Sequence, residues 1–353
     1  MRIAQVAPLA ESVPPKLYGG TERVVAYLTD ELVEQGHDVT LFATGDSCTR
    51  ARLVPLCPRA LRLDPEGRDP LALHLLMIER VAQLAAEFDI LHFHVAPFHF
   101  STARRLPTAH VTTLHGRLDL PDLQPLFEEF CDIPVISISN AQRTPLPSAN
   151  WSGTVYHGIP AESFQFERQA GAYLAFLGRI SPEKRVDRAI AIAKACGCPL
   201  RIAAKIDPVD AVYFEREIRP LLDHPLVTFL GEIGHTDKSE FLGGARALLF
   251  PIDWPEPFGL VMIEALACGT PVIAFRGGSV DEVIEDGVDG FIVESLEQAI
   301  DAVRRVHTLD RRACRESFDR RFRVERMACD YVRVYQEAAH ASLNDARSTE
   351  LIA

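Results

Sequence analysis

Short apolar runs alternate with longer amphipathic segments along most of this 353-residue chain. Each apolar run is long enough for one strand, and each segment between two runs has the spacing of a helix with one apolar face. Strands that alternate with helices in this way pair in parallel, because a parallel neighbour is reached only through a long crossover connection. The sequence therefore predicts an α/β protein.

The alternation breaks once, at about residues 143–170, where prolines and glycines crowd together and the helical spacing disappears. We predict a domain boundary there, with one domain at residues 1–160 and a second at 161–353. Each is expected to be a doubly wound, Rossmann-like domain. The last helix, at about 323–340, is expected to pack back on the N-terminal domain, because its apolar residues share one face.

Ligands of open α/β sheets bind beyond the carboxyl ends of the strands, so a cleft between the two domains is the expected binding site. The predicted elements that bear on this site include strands at 90–95, 111–114, 173–177 and 247–250, a helix that starts at Pro182, and helices at 21–35, 209–222 and 258–267.

The formal net charge is −12, from 37 basic and 49 acidic residues, and nucleic acid is therefore not an expected partner. The eight cysteines form no CxxC pair, which indicates reduced thiols rather than a disulfide framework or a zinc finger. The apolar start is predicted to be a strand and not a signal peptide, and no apolar run reaches the length of about 18 residues that a bilayer span needs. We expect a cytoplasmic protein.

Two cations follow the predicted strand at 173–177. Arg179 and Lys184 would lie on either side of a new helix start, which Ser181 can cap and Pro182 suits. Free N–H groups at a helix start favour an anion, and one forked and one compact cation beside them would suit a diphosphate. The alternative is a surface helix start with two solvated cations.

Two carboxylates stand eight residues apart across a second junction of loop and helix. Pro255 and Pro257 keep Glu256 out of the helix, which Phe258 and Gly259 are predicted to open. Glu264 lies two turns into a helix that is otherwise nearly apolar, so its carboxylate needs a partner. We expect one of the two carboxylates to face the reaction centre and the other to accept from a ribose diol.

Two further clusters leave alternatives open. His92, His94 and His99 could line the acceptor side of the cleft, while a metal site is the weaker alternative because no carboxylate or cysteine accompanies them at ligand spacing. The arginine-rich stretch at 311–333 could lie on anionic lipid at the inner membrane face, but a solvated helix that pairs with its own acidic residues is favoured.

Taken together, these stretches resemble the retaining glycosyltransferases of family 4, which have the GT-B fold of two Rossmann-like domains facing across a cleft. The resemblance covers roughly residues 1–338, and its most specific part is the pair of glutamates with seven residues between them. The other similar stretches are 18–25, which begins Tyr18-Gly19-Gly20-Thr21, then 178–184, 268–273, 277–278, 282–283, 286–291 and 322–327, with Tyr335.

In the second domain, the resemblance implies that Arg179 and Lys184 hold the donor diphosphate. It implies that Glu256 contacts the hydroxyl groups of the donor sugar and that Glu264 contacts the ribose. By position, the backbone N–H groups of Phe258, Gly259 and Leu260 would reach the sugar and the phosphate. The segment 231–233, with Ile233, would meet the base.

In the first domain, the resemblance implies that Gly19 and Gly20 let the backbone approach the diphosphate. His115 resembles the histidine of the family near the primary hydroxyl group of the donor sugar. Two departures are present: His157 stands where the family commonly has asparagine, and the Trp254-Pro255-Glu256-Pro257 stretch varies a more frequent Glu-Gly pair.

The resulting prediction is a metal-independent enzyme, without a cofactor, that moves a hexosyl group from a nucleotide sugar to a hydroxyl acceptor with retention. UDP-glucose is the first expectation for the donor and GDP-mannose the second. The acceptor could be a glycan, a lipid-linked sugar or a small molecule. A sugar-nucleotide epimerase or phosphorylase of the same fold, and a sugar-nucleotide-binding protein without catalysis, are the alternatives.

Overall fold

The computed structural model describes residues 1–17 and 19–350, apart from the side chains of Leu63 and residues 343–350. The chain divides into two compact units. Unit 1 comprises Met1–Gly158 and the segment that begins at Val324, and unit 2 comprises Ile159–Arg323. Each unit is built on a parallel sheet with crossover helices, which confirms the predicted α/β class.

Within the described residues, unit 1 contains a sheet of seven parallel strands in the order β3-β2-β1-β4-β5-β6-β7. The strands are β1 (Arg2–Val6), β2 (Asp38–Ala43), β3 (Arg52–Pro55), β4 (Ile90–Phe93), β5 (His110–Thr113), β6 (Val135–Ser137) and β7 (Trp151–Thr154). The helices that connect them are α1 (Gly20–Glu34), α2 (Pro70–Leu84), α3 (Phe100–Ala103) and α4 (Leu123–Glu129).

Unit 2 contains, in the part of the chain that the structure describes, six parallel strands in the order β10-β9-β8-β11-β12-β13. They are β8 (Tyr173–Arg179), β9 (Leu200–Lys205), β10 (Val227–Gly231), β11 (Ala245–Phe250), β12 (Val272–Phe275) and β13 (Gly290–Val293). The helices are α5 (Val186–Cys196), α6 (Ala211–Tyr213), α7 (Arg219–Leu222), α8 (His235–Gly243), α9 (Leu260–Ala267), α10 (Val280–Val283), α11 (Leu296–Arg305) and α12 (Arg311–Arg321).

The last helix, α13 (Val324–Glu350), belongs to unit 1 and packs against α1, β4 and β5. Met327, Tyr331 and Tyr335 are fully buried along one face of this helix. No helix among the described residues is both long enough and apolar enough to cross a bilayer.

Two edge strands were not predicted, and one predicted helix is interrupted. Strand β3, and strand β7 inside the stretch at 143–170, each have one partner strand, and a short edge strand needs little apolar sequence. The helix predicted at 209–222 is interrupted by a π-helical turn at Phe214–Ile218. Pro220 accounts for the interruption, since its ring excludes a regular turn around the carbonyl group of Arg216.

The arginines at 311–333 were predicted to be solvated, and for Arg311 that prediction is wrong. Its guanidinium is buried and donates to the carbonyl groups of Glu167, Gly243 and Ala245 at 2.7, 2.8 and 2.9 Å and to Thr270 Oγ1 at 2.8 Å. Arg315 and Arg326 each donate to a backbone carbonyl group and also to an acidic side chain of the stretch, as predicted for the acidic partners. The stretch therefore holds loops in place.

Five histidines lie at the carboxyl edge and in the core of unit 1. Burial is the main cause that lowers the pKa of each: to about 3 for His99 and His115, and well below the usual value for His92, His94 and His157. All five are therefore neutral at pH 7. His92 bonds to Tyr335 Oη at 2.6 Å and Thr113 Oγ1 at 2.7 Å.

We predict that Arg311→Met lowers the free energy of unfolding of unit 2 by about 3 kcal/mol, because several buried carbonyl groups lose their donor. Urea unfolding followed by Trp254 fluorescence, in a Trp151→Phe background, reports on unit 2 because the chain has 2 tryptophans, one in each unit. The exposed Arg312→Met is the matched control and should change stability by less than about 0.5 kcal/mol. If both variants changed the free energy of unfolding equally, the buried hydrogen bonds of Arg311 would not be what stabilises unit 2.

Unit 1 should lose stability as the pH falls. The unfolded chain takes up protons below about pH 6.5, whereas the folded imidazoles stay neutral, so each lowered pKa removes about 1.4 kcal/mol per pH unit in that range. The stability is fully present above about pH 7. Urea midpoints between pH 7.5 and 5.5, read from Trp151 in a Trp254→Phe background, test this, and His99→Phe should reduce the slope by one proton. A flat profile would show that the folded imidazoles titrate normally.

Candidate functional site

In each sheet the strand order reverses once, and open α/β sheets bind ligands beyond the carboxyl ends of the strands at that point. In unit 2 the reversal lies between β8 and β11. Arg179 is the last residue of β8, and Glu256 lies in the loop that follows β11. The backbone N–H of Asp253 donates to the carbonyl group of Glu183 at 2.9 Å, which joins the two loops.

The segment after β8 is less helical than predicted. Pro182–Lys184 form a 3-10 turn, and α5 begins only at Val186, because Arg185 adopts a left-handed conformation with φ 51°. Ser181 precedes the turn but makes no capping hydrogen bond, so its predicted capping role is wrong. Arg179 therefore ends β8, and Lys184 lies in the connection between β8 and α5.

Carboxylates from two loops surround the guanidinium of Arg179. Its Nη2 lies 2.5 Å from Glu183 Oε1, and its Nη1 and Nε lie 3.7 and 3.6 Å from carboxylate oxygens of Asp207 and Asp210. Burial raises the pKa of Asp210, against the opposing effect of Arg179. Arg179 is therefore not the solvated surface cation that the alternative prediction required. The aspartates that follow β9 were not singled out from the sequence.

Lys184 forms an ion pair with Glu256, which is 8% exposed. The Nζ of Lys184 lies 5.0 Å from the centre of the Trp254 ring, and the indole N–H donates to Glu256 Oε2 at 2.9 Å. The structure thus brings together two sequence-predicted residues and adds the tryptophan of the variant stretch. Aromatic packing and a second donor hold this carboxylate in one orientation.

A glycine fixes the loop that carries Glu256. Gly278 has φ 54°, and a Cβ atom on it would lie 2.1 Å from the carbonyl oxygen and 2.3 Å from the nitrogen of Glu256. The next residue, Ser279, donates from its backbone N–H to Glu256 at 3.0 Å and from its hydroxyl to the carbonyl oxygen of Phe258 at 2.8 Å. The pair of glycines at 277–278 was the sequence signal for this contact.

Helix α9 begins at Leu260, so Phe258 and Gly259 precede the helix and do not form its first turn as predicted. Gly259 is the residue before the helix, in a left-handed conformation with φ 79°. Phe258 is buried. At the other end Gly269, with φ 77°, follows the last turn.

Glu264 has the partner that its apolar surroundings require. Lys238 Nζ, on α8, lies 2.7 and 3.0 Å from the two carboxylate oxygens, and Glu264 is 2% exposed. The sequence predicted that a partner was needed but not which residue supplies it, because α8 is distant in sequence. Ile233 is half-buried in the loop between β10 and α8.

In unit 1, the connection from β1 to α1 carries the glycine pair. Gly19 precedes α1 and Gly20 is its first residue, while Tyr18 lies outside the described residues. A Cβ atom on Gly19 would lie 2.8 Å from Pro15 Cβ, so a side chain there would collide with the loop. This crowding requires glycine even though the φ of 168° is open to any residue.

His115 follows β5, at the same sheet edge. Its Nε2 lies 2.9 Å from His94 Nδ1, and its ring stacks on that of His157 with a centroid distance of 5.5 Å. His157, the departure from the family pattern, therefore supports His115. His92 and His99 are fully buried, which argues against the contacts with an acceptor that the sequence left open for them.

Among the described residues, no group of three or more His, Cys, Asp or Glu side chains is arranged to hold a metal ion. Arg179, Lys184 and Lys238 each contact at least one carboxylate.

Two family models match the chain. "Glycosyl transferases group 1" covers residues 160–317, and "Glycosyltransferase Family 4" covers residues 18–151. Among curated proteins, the D-inositol 3-phosphate glycosyltransferase of Mycobacterium tuberculosis (strain ATCC 25618 / H37Rv) is 35% identical over 129 residues, which are 35% of this chain and 26% of that protein. The match thus spans about a quarter of the length of that relative.

Solved structures resemble nearly the whole chain. AviGT4, a glycosyltransferase involved in avilamycin A biosynthesis, has a TM-score of 0.70 at 25% identity and covers 96% of this chain and 98% of its own. The sucrose-phosphate synthase of Thermosynechococcus elongatus has a TM-score of 0.77 at 18% identity, with 96% and 99% covered. HepE of Anabaena, in complex with UDP-glucose, has a TM-score of 0.69 at 19% identity, with 97% and 99% covered.

The first of these structures and the two family models concern glycosyltransferases, and the two models together match most of both units. The two structures of lower identity show the fold alone. It is the GT-B fold that was predicted from the resemblance. This chain therefore belongs to the family 4, group 1 glycosyltransferases.

Proposed function

We propose that this protein transfers a hexosyl group from a nucleotide sugar to a hydroxyl group, with retention at the anomeric carbon and without a metal ion. The observation that carries the proposal is the cluster of Arg179, Lys184 and Glu256 where the strand order of unit 2 reverses. An anion with two phosphates and a sugar rich in hydroxyl groups fits a site that pairs fixed cations with a fixed carboxylate.

The main catalytic effect would be stabilisation of the leaving group. Negative charge grows on the departing diphosphate as the glycosidic C–O bond breaks, and cations already in place stabilise that charge without reorganisation. Phosphate oxygens would replace the carboxylates that now contact Arg179. Two protein cations at the diphosphate support a reaction that does not need a metal ion.

Glu256 would accept hydrogen bonds from the hydroxyl groups of the donor sugar. Lys184 and Trp254 hold one of its oxygens, which leaves the other oxygen for a hydroxyl group. Glu264 would accept from the ribose diol while Lys238 compensates its charge. Retention would follow from attack on the same face as the leaving phosphate, with no protein nucleophile assigned.

UDP-glucose is the proposed donor, ahead of GDP-mannose, and the complexes of HepE with UDP and with UDP-glucose support this order. The acceptor is proposed only as a hydroxyl group of a glycan, a lipid-linked sugar or a small molecule. A cytoplasmic location is part of the same proposal. Because arginines at 311–333 donate to carbonyl groups of their own unit, the proposal includes no lipid-binding role for them.

Turnover tests the proposal directly. Full-length protein with UDP-glucose labelled in the sugar should release UDP and move the label to one member of a set of hydroxyl acceptors, in EDTA as well as in Mg²⁺. A product with the anomeric configuration of the donor supports retention. Binding of the donor without release of nucleotide would favour the non-catalytic alternative, and conversion of the free sugar nucleotide would favour an epimerase.

We predict that Arg179→Ala and Lys184→Ala each lower turnover at least about tenfold, a loss of about 1.4 kcal/mol in stabilisation of the transition state. The exposed residues Arg219 and Lys194 provide matched controls as Arg219→Ala and Lys194→Ala, which should leave turnover unchanged. Circular dichroism checks that the variants are folded. If both site variants turned over at the wild-type rate, Arg179 and Lys184 would not bind the donor diphosphate.

Glu264→Gln should raise the KM for the donor about tenfold with little change in kcat, because an interaction with the ribose is the same in the ground state and the transition state. A donor with a 2′-deoxyribose isolates that contact: wild-type enzyme should bind it about tenfold more weakly than the normal donor. Glu264→Gln should discriminate much less between the two donors, while the exposed control Glu240→Gln behaves as wild type. If Glu264→Gln discriminated between the two donors as strongly as the wild type does, the ribose would not contact Glu264.

A further inference from the structure

A chain of hydrogen bonds leads from α13 to His115 within unit 1. Gln5 Nε2 donates to Tyr335 Oη at 3.0 Å, and Gln5 Oε1 lies 2.8 Å from His94 Nε2. His94 Nδ1 lies 2.9 Å from His115 Nε2. His115 Nδ1 is buried and has no hydrogen-bond partner among the described residues. Neither Gln5 nor His94 has a role in the proposed function.

The orientation of the Gln5 amide determines where the protons lie. An amide oxygen only accepts, so the hydrogen between Gln5 and His94 is carried by His94 Nε2. Burial lowers the pKa of His94, so its ring is neutral and its Nδ1 has a lone pair. The hydrogen between His94 and His115 therefore belongs to His115 Nε2. His115 is neutral as well, and its Nδ1 is left with a lone pair.

The other end of the chain agrees with this order. Tyr335 accepts from Gln5, so its own O–H donates to His92 Nδ1, 2.6 Å away. His92 Nε2–H then donates to Thr113 Oγ1 at 2.7 Å, and that hydroxyl can donate to Tyr331 Oη at 3.1 Å. Each link holds one hydrogen and no two donors meet. All of these side chains except His115 and His94 are fully buried.

We propose that Gln5 is a positioning residue whose amide, acting through His94, holds His115 in the Nε2–H tautomer, so that His115 Nδ1 accepts a hydrogen bond from a hydroxyl group of the sugar substrate. This proposal rests on the proposed glycosyltransferase function. A reversed amide would shift every hydrogen by one position and turn His115 Nδ1 into a donor. A lone pair at Nδ1 requires a substrate group that donates, such as a hydroxyl, and rejects one that only accepts, such as fluorine.

Nitrogen NMR of the full chain labelled with ¹⁵N-histidine tests the proton order, because two-bond correlations distinguish the two neutral tautomers. His115→Gln assigns the signal of His115. At pH 7.5 the wild-type ring should be in the Nε2–H form. Gln5→Met, which cannot accept from His94, should convert at least about a third of His115 to the other tautomer or to a mixture, whereas Gln5→Glu should keep the Nε2–H form.

Gln142→Met is the matched control. The amide of Gln142 holds the backbone after β5: it donates to the carbonyl groups of Leu114 and Gly116 at 2.9 and 2.8 Å and accepts from the backbone N–H of Ile138 at 2.9 Å. It should leave the tautomer unchanged. The Nδ1–H form in wild type overturns the proposal, and so does an unchanged tautomer in a folded Gln5→Met variant. The wild-type spectrum remains decisive if that variant does not fold.

Substrate analogues give a second readout. We compare the normal donor with one in which fluorine replaces the primary hydroxyl group of the sugar. This replacement should lower the kcat/KM of the wild-type enzyme at least about tenfold, and that of Gln5→Met clearly less. A variant that had only lost stability would lower both rates in proportion. The NMR result does not depend on turnover, so the absence of transferase activity would refute the proposed function and leave the tautomer assignment to be judged separately.

Discussion

Buried carboxylates that require cations determine the character of unit 2. Glu256 precedes the otherwise apolar helix α9 and Glu264 lies within it, and each would be costly to bury alone. Lys184 and Lys238 reach them from other elements. One pair joins the loop after β8 to the loop after β11, and the other joins α8 to α9, at the edge where open α/β sheets bind their ligands.

Backbone geometry supports those charges. Gly278 allows one loop to pack against the backbone of Glu256, and Gly259 turns the chain into α9. In unit 1 the corresponding rigidity comes from neutral imidazoles, which hydrogen-bond to one another and to the amide of Gln5. Unit 2 thus offers fixed charge, and unit 1 offers fixed neutral donors and acceptors.

The sequence was enough for most of the strand and helix order and for the residues next to strand ends, because apolar spacing and glycine positions are local properties. It placed Glu256 and Lys184 near one another only through the resemblance. Lys238 could not be found, since its contact with Glu264 depends on how α8 packs. The edge strand β7 and the π-helical turn near Pro220 were missed because neither has an apolar period, and Arg311 resembled its solvated neighbours.

The most direct test of the central claim, a metal-independent nucleotide-sugar site in unit 2, is a thermal-shift panel of nucleotide sugars at millimolar concentration with and without EDTA. A ligand that binds only the folded state raises the melting temperature. We expect a shift from one nucleotide family, strongest for uridine diphosphate sugars, that persists in EDTA and is reduced in Lys184→Ala. No shift with any nucleotide sugar, or a shift abolished by EDTA, would contradict the account.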